Sequence, residues 1–428
     1  MIAWLLQIAC GGSAAGTDDG LPTTGSTPTE TTATATPTPA ADDAALARAI
    51  IAGEAGLDAL HTLAYRGGLP VQTEAGFLFL WAGDEAGWAL AGSWDDWTPA
   101  PLTAGAPGVW WAEVPLTDAA GAQYKFTRGA DWVADPWARA YTHDDFGEIS
   151  YVRPPTDRWR LDRWPDLAGS GVEARDLAVY VPAGAGPFPV LYAQDGQNLF
   201  DPAAIWGGWR LPDALAEATP MIVVGVFNTP ARMDDYTHVP DDLYGYPIGG
   251  AGDAYAAFLH DDVRPLIDGT YATSGHDGLL GSSLGGLIAL HTAALYPDDY
   301  DFVASLSGTL GWGRFGLANP VMEERWLALP PAAVPVYVDS GGGPGDDGGC
   351  VDRDGDGFPE DDPDDADNYC TNRQFVDALA AAGWTWDADL WHWWTPDAPH
   401  NEAAWGDRVA LPLAQFGALA AAPPPVRR

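Results

Sequence analysis

Lysine is almost missing from this chain: Lys125 stands alone among 20 basic residues, against 60 acidic ones, for a formal net charge of −40. An acid excess of that size repels the phosphates of nucleic acids and of anionic bilayers, which excludes both as surface partners. No apolar run reaches the roughly 18 residues that a membrane span requires, so attachment to a membrane could only be through a lipid anchor. Cysteine is scarce, with 3 in 428 residues, and unevenly spread: Cys10 ends an apolar start, while Cys350 and Cys370 bracket an acid-rich stretch.

What is abundant is apolar. Hydrophobic residues make up 47% of the chain, ample for the cores of two or three domains. The 21 tryptophans exceed ordinary core needs, and a surplus of indoles supplies stacking surfaces for sugars or flat ligands. Residues 1–10, MIAWLLQIAC, resemble a shortened bacterial lipoprotein signal with Cys10 as the lipidated residue, although no basic residue follows Met1 and Gln7 stands where such signals prefer Leu. The alternatives are a plain secretion signal or an ordinary buried start. Either signal implies export to the bacterial cell envelope, periplasmic or at the cell surface. Residues 11–41 are a Thr/Pro-rich tether that cannot bury a core. In an exporting compartment Cys350 and Cys370 would form a disulfide, stabilising by on the order of 3 kcal/mol through loop entropy.

Residues 42–155 read as a helical lead-in followed by a small β-sandwich. The helix-like spacing is Leu46, Ile50, Ile51, then Leu57, Leu60, Leu63; the strands are FLFLW, WALAG, VWWAEVPL, AQYKFTR and DWVAD, separated by Gly, Asp and Pro clusters. From 160 to 422 apolar strands alternate with helices: DLAVYVP, FPVLYAQD, MIVVGVFN, GLLG, FVASLSG, VPVYVDSGG and WDADLWHWW, with a closing helix over 403–421. That order predicts the α/β class, an open and mostly parallel sheet.

Chemistry enters at residues 277–296, DGLLGSSLGGLIALHTAALY, where a strand, a tight turn and a helix place Ser283 at the apex of G-x-S-x-G. Such a turn holds a hydroxyl above a strand end for acyl transfer. A serine hydroxyl needs a base to take its proton, and the base needs an acid to fix its tautomer. His400, in PDAPHNEAAW after the last strand, is the best-placed base. For the acid, Asp346 in GPGD and Asp367 in DNYCTNRQF compete, because the insertion 347–370 could have entered on either side of the functional residue; Asp339, at the strand end itself, is a third choice. The oxyanion needs two backbone N–H groups, expected at Leu284, after the serine, and at Gln197, in the loop after FPVLYAQD.

Two resemblances extend this reading. AGSWDDWTPAPL, WWAEVPL and AQYKFTRGADWVADP resemble the early-set, immunoglobulin-like sandwich of the carbohydrate-binding module family 48 type, which precedes glycogen-active enzymes and enterochelin esterases. In sugar-binding members the positions matching Trp97, Lys125 and Trp132 contact glucan, so a glycan is an implied partner. PVLYAQDGQNLFDPAAIWGGW, MIVVGVFNTPARMDDY, RPLIDGTYAT, GSSLGGLIALHTAALYP and HNEAAW resemble the esterase family that includes enterochelin esterases and, more distantly, feruloyl and acetylxylan esterases. The resemblance implies an α/β-hydrolase acting on small-molecule or glycan-linked carboxylic esters, with Ser283 as nucleophile, His400 as base and no cofactor for catalysis. The family's His-Gly oxyanion loop is replaced here by Asp195-Gly196. A reading from another class is a cell-surface glycan-binding lipoprotein whose hydrolase fold is inactive. Acyl transfer to a sugar would use the same residues.

Residues 346–367 carry 11 acids. Within them Asp352, Asp354, Asp356 and Gly357 form D-x-D-x-D-G, the opening of a calcium loop, but Pro363 stands where an EF-hand places its bidentate Glu. Asp362 and its neighbours would substitute around a structural Ca²⁺; the alternative is a solvated acidic loop.

Overall fold

A computed structural model describes residues 40–423 apart from 244, 344–349, 353–354, 356 and 359–366. The signal-like start with Cys10, nearly all of the tether, and Asp346, Asp354, Asp356 and Asp362 lie outside the described residues.

Two helices, α1 (Ala40–Ala52) and α2 (Ala59–Arg66), bury Ala47, Ile50, Leu60 and Leu63 against Leu78, Leu80 and Val109. The strands that follow are β1 (Phe77–Ala82), β2 (Ala89–Gly92), β3 (Val109–Val114), β4 (Gln123–Arg128), β5 (Asp131–Val133), β6 (Ala140–Asp144) and β7 (Gly147–Tyr151). In β1 the period of two sorts the side chains. Leu78 and Leu80 face the two helices, whereas Phe77 and Phe79 join Leu90, Tyr124 and Phe126 between the sheets. A strand buried on both faces explains the unbroken apolar run FLFLW.

The hydrolase strands are β8 (Arg160–Gly169), β9 (Val172–Val181), β10 (Phe188–Gln194), β11 (Ile222–Val226), β12 (Thr273–Ser282), β13 (Phe302–Leu306), β14 (Val336–Ser340) and β15 (Leu390–Trp394). Their helices include α3 (Leu284–Leu295), α4 (Tyr369–Ala382), α5 (Glu402–Arg408) and α6 (Ala410–Leu419). β8 pairs with β6 through Leu161 and Asp162, so one sheet of 14 strands runs without a break across residues 155–160. From β15 the order is β14, β13, β12, β10, β11, β9, β8, and the strands from β15 to β11 are parallel. The chain moves outward from β10 to β11, then returns to the other side of β10 with β12. That reversal is a topological switch point, where α/β sheets open a crevice at their carboxyl ends.

Both faces of the parallel strands are covered. Val190, Tyr192, Leu279 and Val303 pack under α3 and the helix Gly252–Phe258, while Leu191, Leu280, Phe302 and Ala304 pack under α5 and α6. The closing segment is two helices where the sequence predicts one. Pro412 falls in the first turn of α6, and its ring nitrogen cannot donate to the carbonyl of Arg408, so the helix restarts after Val409. Among the described residues no helix is long and apolar enough to cross a membrane.

Candidate active site

Ser283 sits at the switch point, between the end of β12 and the start of α3, with φ 55° and ψ −125°. Few L-residues accept that conformation, and the surroundings enforce it. Its N–H donates to Leu306 O (3.0 Å), and its carbonyl accepts from Gly286, Leu287 and Thr309. A Cβ on Gly281 would fall on the Gly285 carbonyl, and one on Gly286 would strike Ser305 Oγ. Gly281 of G-x-S-x-G and Gly286 just after it are thus there for close approach. Ser283 Oγ lies 3.4 Å from Thr309 Oγ1, a hydroxyl neighbour that no sequence pattern indicated.

His400 lies in the loop between β15 and α5, its edge against Trp405 at 4.9 Å between ring centroids. Its Nδ1 is 2.8 Å from Asp367 Oδ1. The other carboxylate oxygen of Asp367 accepts from Ser307 Oγ (2.7 Å) and from the Gly341 amide at the end of β14. Asp367 is buried. Asn368, in the left-handed region at φ 58°, reaches back to Ser307 O (2.8 Å), and Asn372 reaches Gly308 O (2.7 Å), so the start of α4 is pinned to the end of β13. Asp339 is engaged elsewhere, with Arg408 3.1 Å from its Oδ1. Cys350 and Cys370 are joined as a disulfide with Cα atoms 5.3 Å apart, closing the insertion just beyond Asp367.

The amides expected to face an oxyanion lie on adjoining loops. After β10, residues 196–198 make a single 3₁₀ turn entered by Asp195 in the left-handed region at φ 57°. A Cβ added to Gly285 would lie 3.0 Å from Gln194 Cβ, which brings the first turn of α3, with Leu284, against this loop. First-turn amides have no intrahelical partner and stay available. Asp195 is held by the buried Arg232 through two 2.8 Å hydrogen bonds and by Asn228 Nδ2 at 2.6 Å. Gln197 Oε1 accepts from the Asn228 amide (3.2 Å), which fixes the side chain and leaves the role to its backbone. Glu402, two residues after His400, accepts from Asn198 Nδ2 (3.1 Å), and burial pushes its carboxyl up to about 7. This link between the His400 loop and the 196–198 turn was not legible in the sequence.

Three of the other histidines are buried. His238 has Nε2 2.8 Å from Pro320 O, and burial pushes it down to about 3. His291 is buried beside Asp253 and pushed down to about 4 by burial. His276 lies with Nδ1 2.9 Å from Asp301 Oδ2 and Nε2 2.9 Å from Ala422 O.

Trp97, Lys125 and Trp132 come together, with Gln123, Asp144 and Phe146, around a pocket of about 640 Å³ on the sandwich. The indoles of Trp97 and Trp132 are 6.4 Å apart and inclined at 59°. Lys125 Nζ donates to Phe146 O (3.0 Å), and Phe146 is itself 87% exposed. In the insertion, the Asp352 carboxylate accepts from the Gly355 (2.6 Å) and Gly357 (2.9 Å) amides. Among the described residues no group of three or more His, Cys, Asp or Glu is arranged to hold a metal.

The chain has relatives among known proteins and solved structures. The chain is 26% identical over 183 residues to the uncharacterized protein YbbA of Bacillus subtilis, covering 39% of this chain and 68% of that one. It is 29% identical over 137 residues to the siderophore triacetylfusarinine C esterase of Aspergillus fumigatus, covering 30% of this chain and 47% of that one. Among solved structures it resembles an IroE-like serine hydrolase from Shewanella oneidensis, with a TM-score of 0.45 at 20% identity over 61% of this chain and 79% of that one. The family described as "Putative esterase" matches residues 172–410, from β9 into α6. More than half of the chain is matched, over the stretch that carries Ser283, Asp367 and His400, and the chain belongs to this esterase family as a carboxylic-ester hydrolase.

Proposed function

We propose that the protein is an exported serine esterase that works through an acyl-enzyme, with Ser283 as nucleophile, His400 as base and Asp367 as acid. The observation that carries this reading is the 2.8 Å contact between His400 Nδ1 and Asp367. It leaves Nε2 as the nitrogen that takes the Ser283 proton while Oγ bonds to the ester carbonyl carbon. The negative charge that moves to the carbonyl oxygen is met by the amides of Leu284 and Gln197. Collapse breaks the bond to the alcohol oxygen, which leaves with the proton held on His400. Water then repeats the sequence on the acyl-enzyme and releases the carboxylic acid. Asp346 is the acid this reading sets aside.

The substrate is a siderophore ester or an acyl or aryl ester carried on a polysaccharide. The relative named as a siderophore triacetylfusarinine C esterase favours the first. The Trp97, Lys125 and Trp132 pocket favours the second, since two inclined indoles beside an ammonium suit a sugar ring. A panel of siderophore lactones, feruloyl and acetyl sugar esters and p-nitrophenyl acetate, given to the wild type and to Ser283→Ala, tests the assignment. Hydrolysis should vanish in the variant. Retention of the wild type on insoluble starch or xylan, with no hydrolysis of any ester, would favour the inactive glycan-binding reading instead. Lipidation at Cys10, and a structural Ca²⁺ held by Asp352, Asp354, Asp356 and Asp362, belong to the same proposal on sequence pattern; a melting temperature unmoved by EGTA would count against the cation.

A further inference from the structure

The polar network behind Asp367 is larger than holding one imidazole requires. Ser307, in the left-handed region at φ 49° after β13, is buried. Its Oγ donates to Asp367 Oδ2 (2.7 Å) and accepts from Arg408 NH2 (2.8 Å) and Trp405 Nε1 (3.2 Å). Arg408, on α5, is buried, and its NH2 is 3.1 Å from Asp339 Oδ1 and 3.6 Å from Asp367 Oδ2. Tyr337 OH donates to Asp339 Oδ2 (3.3 Å). Two buried carboxylates therefore share one guanidinium, and the one that does not touch His400 is the nearer.

Stability alone gives little reason for this arrangement. Asp367 and Arg408 would already form a neutral buried pair, and a second carboxylate adds a desolvation penalty. Burial raises the Asp339 carboxyl to about 6, with Arg408 and the Tyr337 hydroxyl pulling it back and the Asp367 charge raising it further. What Asp339 supplies is charge balance. With both acids ionised and Arg408 between them, one negative charge remains uncompensated beside the imidazole, and it is cancelled when His400 takes the serine proton.

We propose that Asp339 and Arg408 are positioning residues for the acyl-transfer step: Arg408, through Ser307, fixes the outer oxygen of Asp367, and Asp339 is the counter-ion that stops Arg408 from neutralising the acid. The proposal rests on Asp367 being the acid. Asp339 stands at the strand end itself, yet it acts on His400 only through the field it shares with Arg408.

The test is the pH profile of kcat/KM for Asp339→Asn, Arg408→Met and Arg408→Lys, with Asp367→Asn alongside. Removing the negative charge makes the imidazolium easier to deprotonate, so Asp339→Asn should move the acid limb down by about half a unit to one unit. Arg408→Met should move it up by a similar amount, and Arg408→Lys, which keeps the charge and loses the planar geometry, should leave the limb in place. In all three kcat should fall about tenfold with KM within twofold, the split expected of a transition-state effect. Should Arg408→Met not fold, the double variant Asp339→Asn/Arg408→Met removes both charges and should return the limb to its wild-type position. Limbs that do not move, or that move the same way in both charge-removing variants, overturn the proposal while leaving the triad intact. Full activity in Asp367→Asn would overturn the triad reading first.

Discussion

The carboxylate of Asp367 bridges His400 Nδ1 and the Gly341 amide, two groups at the ends of adjacent strands β15 and β14, although Asp367 lies 26 residues beyond Gly341 in the chain. The insertion is an excursion that returns to its starting point. It leaves from the end of β14, is closed by the Cys350–Cys370 disulfide, and sets the Asp367 carboxylate beside Gly341 at that strand end.

Asp367→Asn should therefore reduce kcat by about 10³- to 10⁴-fold, since an amide cannot hold the same imidazole tautomer or stabilise its charge. Asp346→Asn should stay within twofold of wild type. Steady-state kinetics on a p-nitrophenyl ester compares them, and the reverse ranking would move the acid to Asp346.

Because Cys370 lies in the first turn of α4, three residues after Asp367, the disulfide should matter to both stability and rate. Cys350→Ser/Cys370→Ser should lose about 3 kcal/mol in urea unfolding. Its kcat should fall while KM for a small ester changes little. Equal activity at a lowered melting temperature would make the disulfide purely a stabiliser.

The Asp195–Arg232 pair holds the turn that offers the Gln197 amide. Asp195→Ala leaves a buried guanidinium without its counter-ion, which should cost about 3–5 kcal/mol. Chemical denaturation measures that directly, and in variant that remains folded kcat should drop with the loss of one oxyanion donor.

His238 is buried and neutral, with its folded pKa depressed to about 3. A depressed pKa means that the unfolded chain binds the proton first, so the associated stability is complete above the unfolded value near 6.5 and is lost as pH falls toward 3. Between pH 6.5 and 5 the loss attributable to this residue should reach about 2 kcal/mol. Urea midpoints at both pH values, for the wild type and His238→Gln, isolate it. The variant should be less stable at pH 7 and show the shallower pH dependence.

The α/β core was readable because its strands are unbroken apolar runs, as strands covered on both faces must be, and because Ser283 lies in a turn whose glycines have steric reasons. The place of His400 in the loop after the last strand followed from strand order. The hairpin of β6 and β7 and the whole of β8 were not readable. AYTHDDFGEISY and RWRLDRWPDLAG are interrupted by charge, and those charges are met by other elements: Arg163 pairs with Glu148, and Asp162 accepts from Tyr271 OH. The sequence left Asp346 and Asp367 as alternatives because the placement of Asp367 depends on contacts of Ser307 and Gly341 far away in sequence. Arg408 and Glu402 were hidden for the same reason, since neither a buried ion pair nor a single buried hydrogen bond has a periodic signature.

The central claim is that Ser283 carries the acyl group. An alkyl fluorophosphonate probe, followed by peptide mass mapping, reads the nucleophile directly. The expected result is a single adduct on the peptide containing Ser283, complete loss of ester hydrolysis on labelling, and neither adduct nor hydrolysis in Ser283→Ala. An adduct on another residue, or hydrolysis that persists in Ser283→Ala, would contradict it.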